Sequence, residues 1–181
     1  MDLVAKILQL HAALADGDVP HAFGGALALA WCTGAARATI DIDVNLFVGA
    51  SSIESALAAL PAEIECDDAD RATLRRELQH RLWWGHTPVD LFFNSTPYHA
   101  AVARRVRWED FAGGRLPFLS CLDLAVFKTF FDRTKDWADL EEMQAAGTLD
   151  VARVSGVIAT YLGIDDPRLA RLQSLATRPR D

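Results

Sequence analysis

The chain has 181 residues, 51% of them hydrophobic and 24% charged, with a formal net charge of −7. That balance is ordinary for a soluble globular protein, and the length can bury a core without disulfides or a structural metal. The acidity speaks against a broad non-specific nucleic-acid surface, and no stretch approaches the ~18 uninterrupted apolar residues of a membrane span.

Asp2 and Lys6 break the first apolar run, so the N-terminus does not read as a signal peptide. Leu3, Ile7, Leu10 and Leu14 recur at helical spacing and predict an amphipathic helix over 2–15, ended by Asp16-Gly17-Asp18. A short strand over 19–23 enters Gly24-Gly25, and an Ala/Leu-rich helix follows over 26–32, stopping at Thr33-Gly34. Residues 39–48 alternate strictly: Ile40, Ile42, Val44 and Leu46 interleave with Asp41, Asp43 and Asn45. That period of two predicts a strand whose apolar side, Ile40 included, anchors in the core.

Further helices are expected over 53–60 and 69–78. Residues 80–84 and 89–93 read as a hairpin joined by the turn Gly85-His86-Thr87-Pro88. A short helix near 97–104 and an extended stretch near 105–119 complete the first part. From Ser120, a helix N-cap by its type, helices alone are expected: to about Arg133, then 136–146, 150–162 and 166–176. The tail Arg178 to Asp181 reads as frayed. The expectation is an α+β (α/β) chain, with a small mixed sheet flanked by helices over 1–119 and a helical part over 120–181.

Cys32, Cys66 and Cys121 are odd in number, widely spaced and outside any CxxC pair. Neither a zinc knuckle nor a disulfide framework is expected from them, and a reducing cytosol suits them best. The arginines gather at Arg71, Arg75 and Arg76 and again at Arg104, Arg105 and Arg107, most simply as solvated faces. Trp83-Trp84 reads as one core and one surface contact, with base or sugar stacking as the alternative. The histidines have no zinc-protease spacing, no GxSxG elbow is present, and Gly24-Gly25 lacks the Lys-Ser/Thr of a P-loop.

The acids carry the chemistry. Two positions apart on a strand, Asp41 and Asp43 face the same way with Cβ atoms roughly 6–7 Å apart at a rise of ~3.3 Å per residue. Such a pair repels itself unless a cation lies between, and a divalent ion bound to phosphate oxygens is the natural occupant. Gly24-Gly25, between a strand and a helix, lets backbone amides approach a phosphate. Asp90 interrupts the apolar strand Val89 to Phe93, a costly placement unless it is paired or near an ion. It is the candidate third metal ligand or general base.

This order of Gly-Gly, Asp-x-Asp and a later acid resembles the nucleotidyltransferase superfamily of the DNA polymerase beta type. HAFGGALALAWCTGAARATIDIDVNLFV is similar to the AbiEii/AbiGii toxin-type nucleotidyltransferases, and LSCLDLAVFKTFFDRTKDWADLEEM resembles their later motifs. The resemblance covers roughly residues 19–145, departing at position 26, where Ala replaces a frequent hydroxyl residue. It implies that Gly24 and Gly25 contact the triphosphate and that Asp41, Asp43 and Asp90 are catalytic and hold Mg²⁺ or Mn²⁺. Arg37, Thr39, Lys128 and Asp136 would join the nucleotide site. Lys128 also reads as a snorkelling helix lysine and Asp136 as part of a charged helix junction.

The implied function is transfer of a nucleoside monophosphate from an NTP to an acceptor hydroxyl on tRNA or protein, in a cytoplasmic toxin–antitoxin setting with a possible cognate antitoxin. One alternative is an antibiotic nucleotidyltransferase of aminoglycoside or lincosamide type, which the acidic charge suits better than RNA. The other is a non-catalytic member that binds a nucleotide or a partner.

Overall fold

The computed structural model describes residues 1–177; the tail expected to fray lies outside them. The chain divides into two compact units. The first comprises Met1–Leu27 and Ala38–Leu119, the second Ala28–Arg37 and the chain from Ser120 onward.

The first unit is built on a six-stranded mixed sheet of order β3-β4-β2-β1-β6-β5. The strands are β1 (His21–Phe23), β2 (Ile42–Leu46), β3 (Gln79–Trp84), β4 (Thr87–Phe93), β5 (Arg107–Phe111) and β6 (Gly114–Phe118). β2 runs parallel to β4 and β1 parallel to β6, while the β1–β2, β3–β4 and β5–β6 pairs are antiparallel. α1 (Leu3–Asp16) starts on Asp2, whose carboxylate accepts the Ala5 amide at 2.8 Å. Ile7, Leu10 and Leu14 of α1 are buried with Ile42, Val44 and Leu46 of β2 and Val89, Leu91 and Phe93 of β4. α3 (Ile53–Ala58) adds Ile53 and Leu57 to this core, α4 (Asp68–Glu77) adds Leu74, and α5 (Pro97–Val102) follows β4. Each such fully buried aliphatic side chain contributes about 1.5–3 kcal/mol relative to exposure. Because side chains alternate along a strand, the opposite faces of β2 and β4 carry Asp43, Asn45, Asp90 and Phe92.

Three expectations change here. β2 begins at Ile42, so Ile40 precedes the ladder and is 70% exposed rather than anchored in the core. The stretch read as merely extended is the β5–β6 hairpin, closed by Ala112 (φ +49) and Gly113 (φ +84). Two consecutive left-handed residues match the twist of a tight hairpin, and a non-glycine at the first is uncommon. The β3–β4 connection is shorter than expected: Trp84 pairs with Thr87, leaving Gly85-His86 as the turn, with Gly85 at φ +60. Pro88, which has no N–H to give, lies beyond the β2 ladder, which starts at Val89.

α2 (Gly25–Thr33) begins in the first unit and continues into the second, whose other helices are α6 (Cys121–Phe131), α7 (Thr134–Ala145), α8 (Val151–Leu162) and α9 (Pro167–Ala176). Ser120 caps α6 as its type predicts, accepting the Asp123 amide at 3.2 Å. Leu124, Trp137, Leu140, Met143, Val154, Ile158, Leu172 and Leu175 are buried. The Trp137 indole N–H donates to Asp132 at 2.6 Å, and the Arg171 guanidinium lies 4.2 Å from the ring centroid.

The cysteine expectation is overturned. Cys32, near the end of α2, and Cys121, at the start of α6, form a disulfide with Cα atoms 5.5 Å apart across 89 residues of sequence. An odd count and that separation hide the pair in the sequence; folding brings the two helix ends together. Cys66 is the free thiol, and burial pushes its pKa up.

Candidate active site

β2 and β4 lie side by side, and their register sets Asp43 directly beside Asp90. Asp41 precedes β2 by one residue, held by Thr39, whose hydroxyl accepts the Asp41 amide at 3.2 Å. Asp90 is therefore not on the far side of the sheet from the Asp-x-Asp pair. A single side chain shows it. Arg81 of β3 donates through Nε to Asp90 Oδ1 and through Nη2 to Asp90 Oδ2, both at 2.7 Å, and the same Nη2 lies 3.3 Å from Asp41 Oδ2. The hydrogen bond to Asp90, with the charges of Asp90, Asp41 and Asp43, raises the Arg81 pKa further above its already high value.

The diglycine adjoins these acids, and each glycine has its own reason. Gly24 continues the β1–β2 ladder, its N–H donating to the Asp43 carbonyl at 2.9 Å. Its amide is thus engaged with the sheet rather than offered to a phosphate. A Cβ on Gly24 would meet Asn45 Nδ2 at 3.1 Å and Leu119 Cδ1 at 3.3 Å. Gly25 is the stricter position: it takes φ +51, and a Cβ there would lie 1.8 Å from Asp43 Oδ2. Any side chain would displace the Asp43 carboxylate as well as strain the backbone. The Gly-Gly motif and the Asp-x-Asp motif are thus one device.

Asp41, Asp43, Asp90, Gly24, Gly25 and Thr39 all belong to the first unit. The other expected nucleotide ligands, Arg37, Lys128 and Asp136, belong to the second, where they share one ion-pair cluster. Its hub is Asp139, which sequence reasoning missed. The Lys128 ammonium donates to Asp139 and lies 3.7 Å from Asp136. Arg37 donates to Asp139 Oδ1 at 2.6 Å, and Arg133 to Asp136 Oδ2 at 2.6 Å. Lys128, Asp136 and Asp139 are all buried. Asp139 was legible: it is the second acid of the Lys-Asp-x-x-Asp-Leu segment, one helical turn beyond Asp136 and on the same face of α7.

Arg81 was missed as well, and its signal was the turn length. A two-residue turn at Gly85-His86 forces residue 81 opposite residue 90, whereas a four-residue turn would have put Trp83 there. The hard oxygen donors of Asp41, Asp43 and Asp90 fit a divalent cation chemically. As arranged, both oxygens of Asp90 engage Arg81, and among the described residues no three His, Cys, Asp or Glu side chains are grouped to hold an ion.

One solved structure shares this architecture. Over 94% of this chain and 95% of the other, at 16% sequence identity, the fold superposes on the solution structure of the antibiotic-resistance factor ANT(2'')-Ia, a nucleotidyltransferase, with a TM-score of 0.60. The fold is of the nucleotidyltransferase type. A weaker likeness, at 13% identity and a TM-score of 0.47, is to an antigenic nucleotidyltransferase-like protein from Paracoccidioides brasiliensis, over 94% of this chain and 86% of that one. No protein-family model and no curated protein matches the sequence. Among the described residues no helix is long and apolar enough to cross a membrane.

Proposed function

We propose that the chain transfers a nucleoside monophosphate from an NTP to the hydroxyl of a small, cationic acceptor, using the carboxylate face of the first unit. The observation that carries this reading is the register of Asp43 beside Asp90 on adjacent parallel strands, with Asp41 tied to Asp90 through Arg81 and Gly25 closed against Asp43. When bound, Mg²⁺ or Mn²⁺ would neutralise phosphate charge and polarise the phosphoryl group under attack. Asp41 and Asp43 are its first holders, with Thr39 fixing the Asp41 backbone.

Asp90, beside the pair in register, would complete the metal's carboxylate set or take the acceptor proton. In the reaction the acceptor oxygen bonds to the α-phosphorus, the bond to the bridging oxygen breaks, and pyrophosphate leaves with that electron pair. Gly25 keeps the Asp43 carboxylate in place without a side chain to obstruct the triphosphate.

Two observations favour a cationic small molecule as acceptor. The chain carries a formal charge of −7, which attracts cations and disfavours RNA. Its architecture also matches that of ANT(2'')-Ia along nearly the whole length of both chains. The toxin-type reading, with tRNA or a protein hydroxyl as acceptor and a cognate antitoxin as partner, is supported by the motif resemblance of 21–48 and 119–143. An incubation with Mg²⁺, each α-labelled NTP and aminoglycosides, lincosamides, tRNA or total protein separates the two. Label is expected on an aminoglycoside. Label on tRNA or protein instead would establish the second reading, and no transfer and no NTP binding under any pairing would refute both.

A further inference from the structure

Arg81 carries an inference that rests on the metal-site reading above and deepens it. β3 is the outermost strand of the sheet on its side, so Arg81 has a paired strand only toward β4. Its side chain is 44% exposed, and the guanidinium reaches inward across Asp90 to Asp41. The two shortest contacts form the fork-on-carboxylate geometry that arginine makes best. A carboxylate with both oxygens so engaged offers a small hard cation only its remaining lone pairs. The guanidinium also repels any second cation brought within a few ångströms.

We propose that Arg81 is a resident counter-cation that competes with the divalent ion for Asp90 and Asp41, so that Asp90 joins the metal only when Arg81 turns away. With no nucleotide present, the Arg81 guanidinium spans Asp90 and Asp41, and Asp43 lies in register beside Asp90. An arriving triphosphate gives Arg81 a second anion to pair with, and its half-exposed side chain can swing to it without disturbing the core. Metal and nucleotide therefore bind cooperatively, because the nucleotide draws off the cation that blocks the third carboxylate.

The test is Mn²⁺ binding without nucleotide, followed by calorimetry or by the loss of free-ion paramagnetic signal. It uses the full chain, Arg81→Gln and Arg81→Lys, with Asp43→Asn introduced into each. Arg81→Gln is expected to bind Mn²⁺ at least about tenfold more tightly than the parent, since a unit charge beside the site is gone. Arg81→Lys keeps the charge and is expected to stay close to the parent, and Asp43→Asn to abolish binding in every background. Equal affinity in parent and Arg81→Gln, with Asp43→Asn still abolishing both, overturns the counter-cation role and leaves the metal site standing. Binding that ignores Asp43→Asn, or no binding by Arg81→Gln, overturns the metal site itself.

Discussion

The molecule holds two clusters of opposite charges, one half-exposed and one buried. On the sheet of the first unit, Asp41 and Asp90 share the half-exposed Arg81 of the outermost strand, with Asp43 in register beside Asp90. Among the helices of the second unit, Lys128, Asp136 and Asp139 are sealed from water, with Arg37 and Arg133 reaching in from the surface. An exposed, movable cation leaves its acids available for binding. A buried one must stay, because either partner left alone in a low-dielectric interior is costly. Burial, not residue type, separates the two.

The contrast breaks if variants in the two clusters behave alike. The largest effect is expected from Asp43→Asn: a loss of roughly a thousandfold in transfer rate, the scale of losing an electrostatic contact to the reacting phosphate, with the melting temperature nearly unchanged. Lys128→Met should do the reverse in character. It removes the buried cation between Asp136 and Asp139, each of which keeps one arginine, and should cost about 1.5–3 kcal/mol, read as a fall in urea midpoint. A Lys128→Met protein as stable as the parent would show that the buried ion pairs do not hold the second unit together.

Reduction of Cys32–Cys121 sharpens the same picture for the second unit. Closing 89 residues of chain restricts the unfolded ensemble, so mild reductant should lower stability by about 3–4 kcal/mol. Thiol titration before reduction should find Cys66 alone, and three reactive thiols would refute the bridge. A further effect is in pH. Burial pushes His21 and His99 down to about 4, so both stay neutral in the native state. Between the ordinary histidine pKa of about 6.5 and that value, the unfolded chain binds more protons than the native one. Stability should therefore decline as pH falls through this window and return above it. Urea midpoints at pH 7, 6 and 5 check the sign, and a midpoint that rises on acidification contradicts it.

Much of this was legible before any coordinates. The period-two run from Ile42 to Leu46, the apolar strand around Asp90, the Ser120 cap and the helical character beyond it all depend on near neighbours in the chain. Local patterning misled where pairing decides instead. Ile40 continues the alternation but precedes the ladder, so no neighbouring strand covers it. The stretch 105–119 has two left-handed residues at its centre, a conformation its Ala112 does not advertise.

What the residues determined alone was the order of the chemistry: Gly-Gly, Asp-x-Asp, a third acid, and the strands and helices that carry them. Local propensity and period suffice for that, because each depends on contacts a few residues apart. Partnership was decided only by tertiary structure. Arg81 against Asp90, Lys128 against Asp139 and Cys32 against Cys121 are set by strand register and by which helix ends meet. A shift of one residue in a register or one turn in a helix would have chosen different partners for the same sequence.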